Sequence, residues 1–456
     1  MRGRELIRSA FSREQVDRIP WVPFVGVHAA QLLGITAREY LQSADHIVGG
    51  VGRAVERYSP DGIPVVFDLQ IEAEALGCQL VWGDDNPPAV VSHPLLEGVQ
   101  LDCLKIPDID DGRIDLVMQA TMRLREKHPE LALYGLVTGP FTLALHLMGT
   151  DIFMQIMLDP AQIHQLLRFT TDVAGSMAKR YIEAGADVIA VVDPMTSQID
   201  PMSFETFVTP YVTEINQDIR QAGALSSFFV CGNARQNIEA MCRTKPDNIS
   251  IDENIPLDFV RDTALAHDVS FGGNIKLTVA LLLGDEDTCR RDALECMDMG
   301  GRKGFVLAPG CDLAMATPVE NLVAVAELVH DEDLQGELRA SEAVTVDIEL
   351  PDLSGHWDED RVVIDVITLD SSSCAPCQYM VNAAQRAAEP FEDRVICQEH
   401  PIKRTEGVQM MMALGVRNLP TIVMDGDIEF ASRIPPISDI ERKIGEHLAA
   451  KAKGAA

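Results

Sequence analysis

Short apolar runs alternate with longer amphipathic stretches from about Trp21 to Leu328. The runs read WVPFVGV, IPVVFD, LALYGLVTG, VIAVVD, SSFFVCG, NISIDE, SFGGNI and GFVLAPG. Each is short and apolar on both faces, the pattern of a strand in a parallel sheet covered on two sides. The stretches between them, such as PAQIHQLLRFTTDVAGSMAKRYIEAGA and TVALLLGDEDTCRRDALECMDMG, repeat their apolar positions with a helical period. Such alternation predicts a parallel α/β architecture, and eight runs fit a (β/α)8 TIM barrel better than an open sheet. Residues around Glu72 to Ile109 break the alternation and read as an insertion.

A second pattern begins near Arg361. RVVIDVITLD predicts a strand, SSSCAPC and QYMVNAAQRAAEPF a helix with its entry, RVICQEHPI a strand, and KRTEGVQMMMALGV a helix. TIVMDG and DIEFASR then predict two strands, and SDIERKIGEHLAAKA a last helix. This order, with a CxxC at the first strand–helix junction, predicts a thioredoxin-like α/β domain. The intervening HDEDLQGELRASEAVTVDIELPDLSGHWDED is acidic, lacks an apolar period and carries Pro351 and Gly355, so it reads as a linker. The expected organisation is a barrel over 1–335, a linker over 336–360 and a small domain over 361–456.

Composition narrows the function classes. The chain has 456 residues, 46% hydrophobic and 24% charged, the profile of a folded soluble protein with a large core. Its net charge of -32 argues against nucleic-acid binding and against docking on an anionic membrane. No stretch approaches the roughly 18 apolar residues of a membrane span, and MRGRELIRSAFSREQVDRIP lacks the apolar core of a signal peptide. Ten cysteines in a chain of this length do not resemble a secreted disulfide scaffold. A cytoplasmic protein with mostly reduced thiols is expected.

The ends of the runs carry the candidate chemistry. They deliver His28, Asp68, Thr138, Asp193, Cys231, Asp252, Asn274 and Cys311. A barrel enzyme places its active site at the C-terminal ends of its strands. Polar loop beginnings account for Thr138 and Asn274; two cysteines, a histidine and three aspartates point to a shared site. In the second pattern, Cys374 and Cys377 stand at a helix start, where the dipole and free N–H groups favour a thiolate. Cys374 would attack a disulfide and Cys377 would resolve the mixed intermediate.

Two family resemblances extend this reading. CAPC, the element order and VRNLPT make residues 361–450 similar to the thioredoxin/glutaredoxin superfamily. Pro420 then corresponds to the cis-proline facing the CxxC, and Ser373 replaces the tryptophan that usually precedes it. Residues 1–330 resemble the uroporphyrinogen decarboxylase superfamily through FDLQIEAEALGCQLVWGDDNPP, LVTGPFTLA, AGADVIAVVDP, DPMSFETFVTPYV, VCGNA, SIDEN, GGNI and GCDLAMATPVENL. Within it, EAEALG, Asp193, CGN and PGCD look like the corrinoid-dependent methyltransferase branch. That resemblance implies methyl transfer from a methylated corrinoid (cobalamin) protein to a small thiol or similar acceptor. It also implies a zinc site built from a His-x-Cys pair and a distant cysteine. Cys231 and Cys311 match the two cysteines, and Phe229 stands where the histidine is expected.

Three outcomes follow from Phe229: another strand end (His28, Glu72, Asp193 or Asp252) completes the site, the metal is lost, or the barrel has a changed function. The pocket is expected to use Asp193, Asp68, His28 and Glu72 as acid/base or binding groups, and His146, Asp252 and Asn274 as substrate-binding groups. Uroporphyrinogen decarboxylation is the alternative; Asp68 partly matches its substrate-binding aspartate, but VPFVGVHAA lacks the arginine segment expected for the porphyrinogen carboxylates. A third reading is a thiol–disulfide oxidoreductase or redox-responsive binding protein with the barrel as scaffold. The fused CxxC would serve methyl transfer by keeping Cys231 and Cys311 reduced, or by reducing a disulfide-bound acceptor.

Overall fold

The computed structural model describes residues 3–341 and 350–454, apart from 355, 358, 359, 372 and 373. It divides into two compact units, Met1–Glu342 and Ala343–Ala456. Ser373, Gly355 and residues 342–349 of the expected linker lie outside the described residues. The first linker residues belong instead to a helix, Glu332–Ala340, whose start is capped by the Asp331 carboxylate on Leu334 N. An aspartate at the N-cap followed by acidic residues in the first turn favours a helix over coil here.

The first unit is built on a parallel sheet of seven strands: β1 Gly62–Pro64, β2 Ala132–Thr138, β3 Val188–Val192, β4 Leu225–Val230, β5 Asn248–Ile251, β6 Ser270–Ile275 and β7 Phe305–Pro309. Their spatial order is their chain order, each paired in parallel with the next. Nearly all these strand residues are buried, as strands covered on both faces must be. Helices cross between them. The longest, Pro160–Ala184, starts at an Asp159 cap and stops at Gly185 in the left-handed region. TVALLLGDEDTCRRDALECMDMG makes two helices rather than one. A short π-helix, Leu277–Leu282, ends before Gly284, and Asp285 caps a fresh start at Glu286–Gly300.

The sheet curls. Adjacent strands lie about 4.8 Å apart, so β1 and β4 would be separated by roughly 14 Å in a flat sheet. Yet Phe67, just past β1, has its ring centroid 6.0 Å from that of Phe229 on β4. Phe24 joins both rings, at 6.0 Å from Phe67 and 5.1 Å from Phe229. These rings, with Tyr134, Val192 and Val306, fill the interior of the curl.

Seven regular strands form where eight runs were expected. The first run, WVPFVGV, makes a single bridge between Trp21 and Leu307, because Pro20 and Pro23 have no N–H to give a ladder. Its backbone still touches both edges of the sheet. Leu307 N donates to Pro20 O and Val22 N to Leu307 O, while Asp61 N donates to Trp21 O. Asp61 also accepts from Trp21 N at 2.9 Å and binds Arg18 through both carboxylate oxygens at 2.6 and 2.7 Å. The insertion holds a small two-stranded ribbon, Leu80–Val81 with Ala89–Val90.

The second unit has a mixed sheet of β8 Val362–Thr368, β9 Val395–Pro401, β10 Thr421–Met424 and β11 Asp427–Ala431. The spatial order is β9-β8-β10-β11, with β8 and β9 parallel and the other pairs antiparallel. Helices Ala375–Ala388, Thr405–Ala413 and Ile437–Gly454 complete it. Val362, Ile364 and Val366 pack with Met380, Ala384 and Ile440 as a core.

Candidate active site

Three of the expected residues come together at the C-terminal ends of β4, β5 and β7. Cys231 follows β4 and Cys311 lies two residues past β7, and the Cys231 thiol hydrogen-bonds to that of Cys311. Asp252 follows β5 and acts electrostatically on Cys231, as does Asp312. Both cysteines pack over the aromatic interior that contains Phe229. Gly26 makes room for this corner, since a Cβ there would collide with the Asp312 carboxylate.

The electrostatics oppose a free thiolate at Cys231. The thiol–thiol hydrogen bond, burial and the negative charge of Cys311, Asp252 and Asp312 together push the Cys231 thiol well above its ordinary value. A bound dication reverses that balance, since coordination deprotonates a thiol and offsets nearby carboxylates. The donor set therefore suits a thiophilic divalent ion, with Cys231 and Cys311 as sulfur ligands. Asp252 stands beside the pair, but among the described residues its oxygens do not complete a three-ligand cluster with the two sulfurs. Its Oδ2 accepts from Gly232 N at 2.9 Å, and its Oδ1 accepts from Asn254 N at 2.9 Å and Nδ2 at 2.6 Å. These bonds fix the carboxylate next to Cys231. Burial raises its proton affinity.

Most of the remaining expected residues are engaged by other partners. His28 is buried at a helix start, with Nε2 2.7 Å from the Tyr58 hydroxyl and Nδ1 3.3 Å from Met315 O. Both ring nitrogens are engaged, so it has no lone pair directed at a metal, and burial lowers its pKa to about 4. Asp193 follows β3 but serves as an anion for the Pro140–Met148 helix. It accepts from Phe141 N at 3.1 Å, Thr142 N at 2.7 Å and Thr142 Oγ1 at 2.6 Å. Burial raises its pKa to about 6 against those hydrogen bonds. Gly139 permits the approach, because a Cβ there would overlap the Asp193 side chain.

Glu72, in the short helix Ile71–Ala75, accepts from Thr138 N at 3.0 Å and Thr138 Oγ1 at 2.8 Å. Burial carries its pKa up to about 7. Asp68 accepts from Arg113 Nη1 at 2.6 Å and Gln70 N at 2.9 Å. Arg113 also binds Glu74 at 2.6 Å and stacks 4.7 Å from the Trp82 ring. Its Nη2 is buried without a hydrogen-bond partner among the described residues. Sequence reasoning missed Arg113: a lone arginine in DDGR has no period or motif to mark it.

His146 lies in the fully buried Pro140–Met148 helix with neither ring nitrogen hydrogen-bonded, and burial lowers its pKa to about 3. It is a packed neutral imidazole. Asn274, next to last in β6, donates to Asp252 O at 3.1 Å and Ile255 O at 2.8 Å, so it holds the loop that carries Asp252. A cleft of about 400 Å³ elsewhere on this unit is lined by Arg18, Met297, Arg302 and Arg339 and contains none of these residues.

In the second unit, Cys374 is the residue before the Ala375–Ala388 helix and forms a disulfide with Cys377. The Leu419–Pro420 peptide is cis.

The family model described as uroporphyrinogen decarboxylase (URO-D) matches residues 2–332. A methylcobamide:CoM methyltransferase of Methanosarcina acetivorans is 26% identical over 340 residues, covering 71% of this chain and 96% of the relative. A uroporphyrinogen decarboxylase of an Anaeromyxobacter species is 25% identical over 344 residues, covering 70% and 96%. A solved structure of a methyltransferase from Methanosarcina mazei superposes with a TM-score of 0.67 at 25% identity, over 72% of this chain and 98% of that one. With a curled parallel α/β sheet and a family match over residues 2–332 of its first unit, the chain belongs to the uroporphyrinogen decarboxylase family.

Proposed function

We propose that the first unit is a corrinoid-dependent methyltransferase that passes a methyl group from a methylated corrinoid, carried by a partner protein, to a small thiol. The observation that carries this reading is the Cys231–Cys311 thiol pair beside Asp252 at the strand ends. A methylcobamide:CoM methyltransferase among the relatives supports the donor and acceptor classes. The curled sheet, with residues 20–22 bonded to both edges, serves as a (β/α)8 barrel whose open end receives both substrates.

Cys231 and Cys311 would hold zinc through their sulfurs, with Asp252 beside them, and zinc when bound supplies the positive charge that keeps an acceptor thiol as its thiolate. Asn274 fixes the Asp252 loop, and Phe229, Phe24 and Phe67 form a dry apolar floor. A dry floor strengthens the electrostatics above it and limits the solvation of a thiolate nucleophile. The protein's remaining task is alignment, since methyl transfer is a displacement between two separately bound partners.

The decarboxylase alternative loses support at Asp68, whose two oxygens are taken by Arg113 and Gln70 N. For the second unit, the sheet order, the CxxC at a helix start and the cis-proline support a thioredoxin-like domain that performs thiol–disulfide exchange.

The test follows the visible spectrum of methylcob(III)alamin mixed with anaerobic, zinc-loaded protein and a panel of thiols. Thiol-dependent formation of cob(I)alamin is expected, and Cys231→Ser or Cys311→Ser should slow it by at least about 100-fold, since a metal ligand is lost outright. Demethylation at the original rate in both serine variants would overturn the assignment.

A further inference from the structure

Asp365 stands in the middle of β8 and is fully buried. Aspartate is poorly suited to strand interiors, and a buried carboxylate needs compensation. Its neighbours Ile364 and Val366 face the apolar core, so alternation turns Asp365 to the opposite face of the sheet. On that face it meets two histidines. His400 comes from β9, where the register pairs Asp365 with Gln398 and Ile367 with His400, so Asp365 and His400 are diagonal neighbours. His356 comes from the turn ahead of β8, closed by His356 N donating to Leu353 O.

The convergence is specific in its atoms. His356 Nε2 lies 2.9 Å from each Asp365 oxygen, and His400 Nε2 lies 2.8 Å from Oδ1. One ligand atom from each of the three residues falls within 4.8 Å of the others. Two imidazoles thus present the same ring nitrogen to one carboxylate from three separate places in the chain. In a tetrahedral site with bonds of about 2.0–2.1 Å, neighbouring ligand atoms stand roughly 3.3 Å apart. The observed spacings need to open by only a fraction of an ångström to admit an ion. The two histidines are each 16% exposed, which leaves a path for the ion from solvent.

We infer that His356, Asp365 and His400 bind one divalent transition-metal ion of the zinc class, with a remaining coordination position open to water. Two imidazoles and a carboxylate suit such an ion and suit calcium or magnesium poorly. The site lies within the second unit and does not depend on the thiol pair of the first. Its consequence is mechanical: the ion fastens the turn that carries His356 to the β8–β9 face.

The experiment uses the full chain carrying Cys231→Ser and Cys311→Ser, with Cys374–Cys377 left oxidised, so that these thiols do not compete. Zinc content is measured after chelator treatment, zinc addition and gel filtration. Trp357 emission is followed in the same titration, because its ring centroid is 5.8 Å from that of His356. About one zinc per chain and a saturating change in emission are expected. Asp365→Asn and His400→Gln should each weaken binding by more than about 100-fold, the loss expected when a direct ligand goes. Should the strand substitutions disturb folding, His356→Ala, outside the sheet, should give the same loss with an unchanged circular dichroism spectrum. No retained zinc in the double-serine parent, or equal affinity in His356→Ala, would overturn the site. Either result would leave the methyl-transfer reading untouched, because the parent already lacks the thiol pair.

Discussion

A histidine at position 229 would point to the same face of β4 as Cys231, two residues on. Phenylalanine there joins Phe24 and Phe67 in the floor of the curl instead. The substitution Phe229→His is therefore expected to do two opposite things. Zinc affinity should rise by at least about tenfold as an imidazole reaches the thiol pair, while stability should fall by about 1–3 kcal/mol from burying a polar ring in an apolar cluster. Metal content and urea unfolding read these separately; unchanged zinc affinity would mean that the face bearing Cys231 holds no metal. At this scale the sequence singled out Cys231, Cys311 and Asp252 as strand-end residues, and the structure brings the three together at the ends of β4, β5 and β7. The sequence also marked His28, Glu72 and Asp193 and could not reveal their partners. Tyr58, Thr138 and the Phe141–Thr142 amides are distant in the chain and claim those groups only after folding.

Elements whose ends carry their own signals were legible. Asp159 and Gly185 bracket the Pro160–Ala184 helix, and the apolar runs of β2 to β7 fall where the pattern put them. Elements decided by backbone chemistry were less so. Proline at 20 and 23 kept the first run from becoming a regular strand, and Gly284 with Asp285 divided one amphipathic stretch into two helices. The helix that starts after Cys374 allows a sharp test of exchange. Its free N–H groups stabilise a thiolate at that position once the disulfide opens. With a dithiol supplying the electrons, the full chain should reduce a small disulfide substrate, and Cys374→Ser should reduce that rate to the uncatalysed level. Cys377→Ser should trap a mixed disulfide, since the resolving thiol is gone. Undiminished turnover in Cys374→Ser would remove the redox role of this helix.

For the whole molecule, buried ionisable groups set how stability varies with pH. Burial lowers His28 to about 4 and His146 to about 3, so unfolding takes up protons below their ordinary 6.5 and stability is lost as pH falls toward those values. Burial raises Asp193 to about 6, Glu72 to about 7 and Glu253 to about 8. For these the folded state holds the proton more tightly, so their contribution is present below the ordinary carboxylate range and lost as pH rises through the raised values. The two sets oppose one another in acid. Between about pH 7 and 8 the histidines are largely neutral in both states, and stability should fall as pH rises. Urea midpoints across that window check this, and Glu72→Gln should flatten the slope; a rise in midpoint would contradict the buried carboxyls. The bridge formed by residues 20–22 has a consequence for synthesis. Its partner on β7 is Leu307, so residues 20–22 leave the ribosome well before that partner and must wait for almost the whole first unit before their hydrogen bonds can form. Until then the apolar interior stays open along one seam. The nascent chain is most exposed to aggregation late in its translation, when the sheet is nearly built and its two edges are still apart.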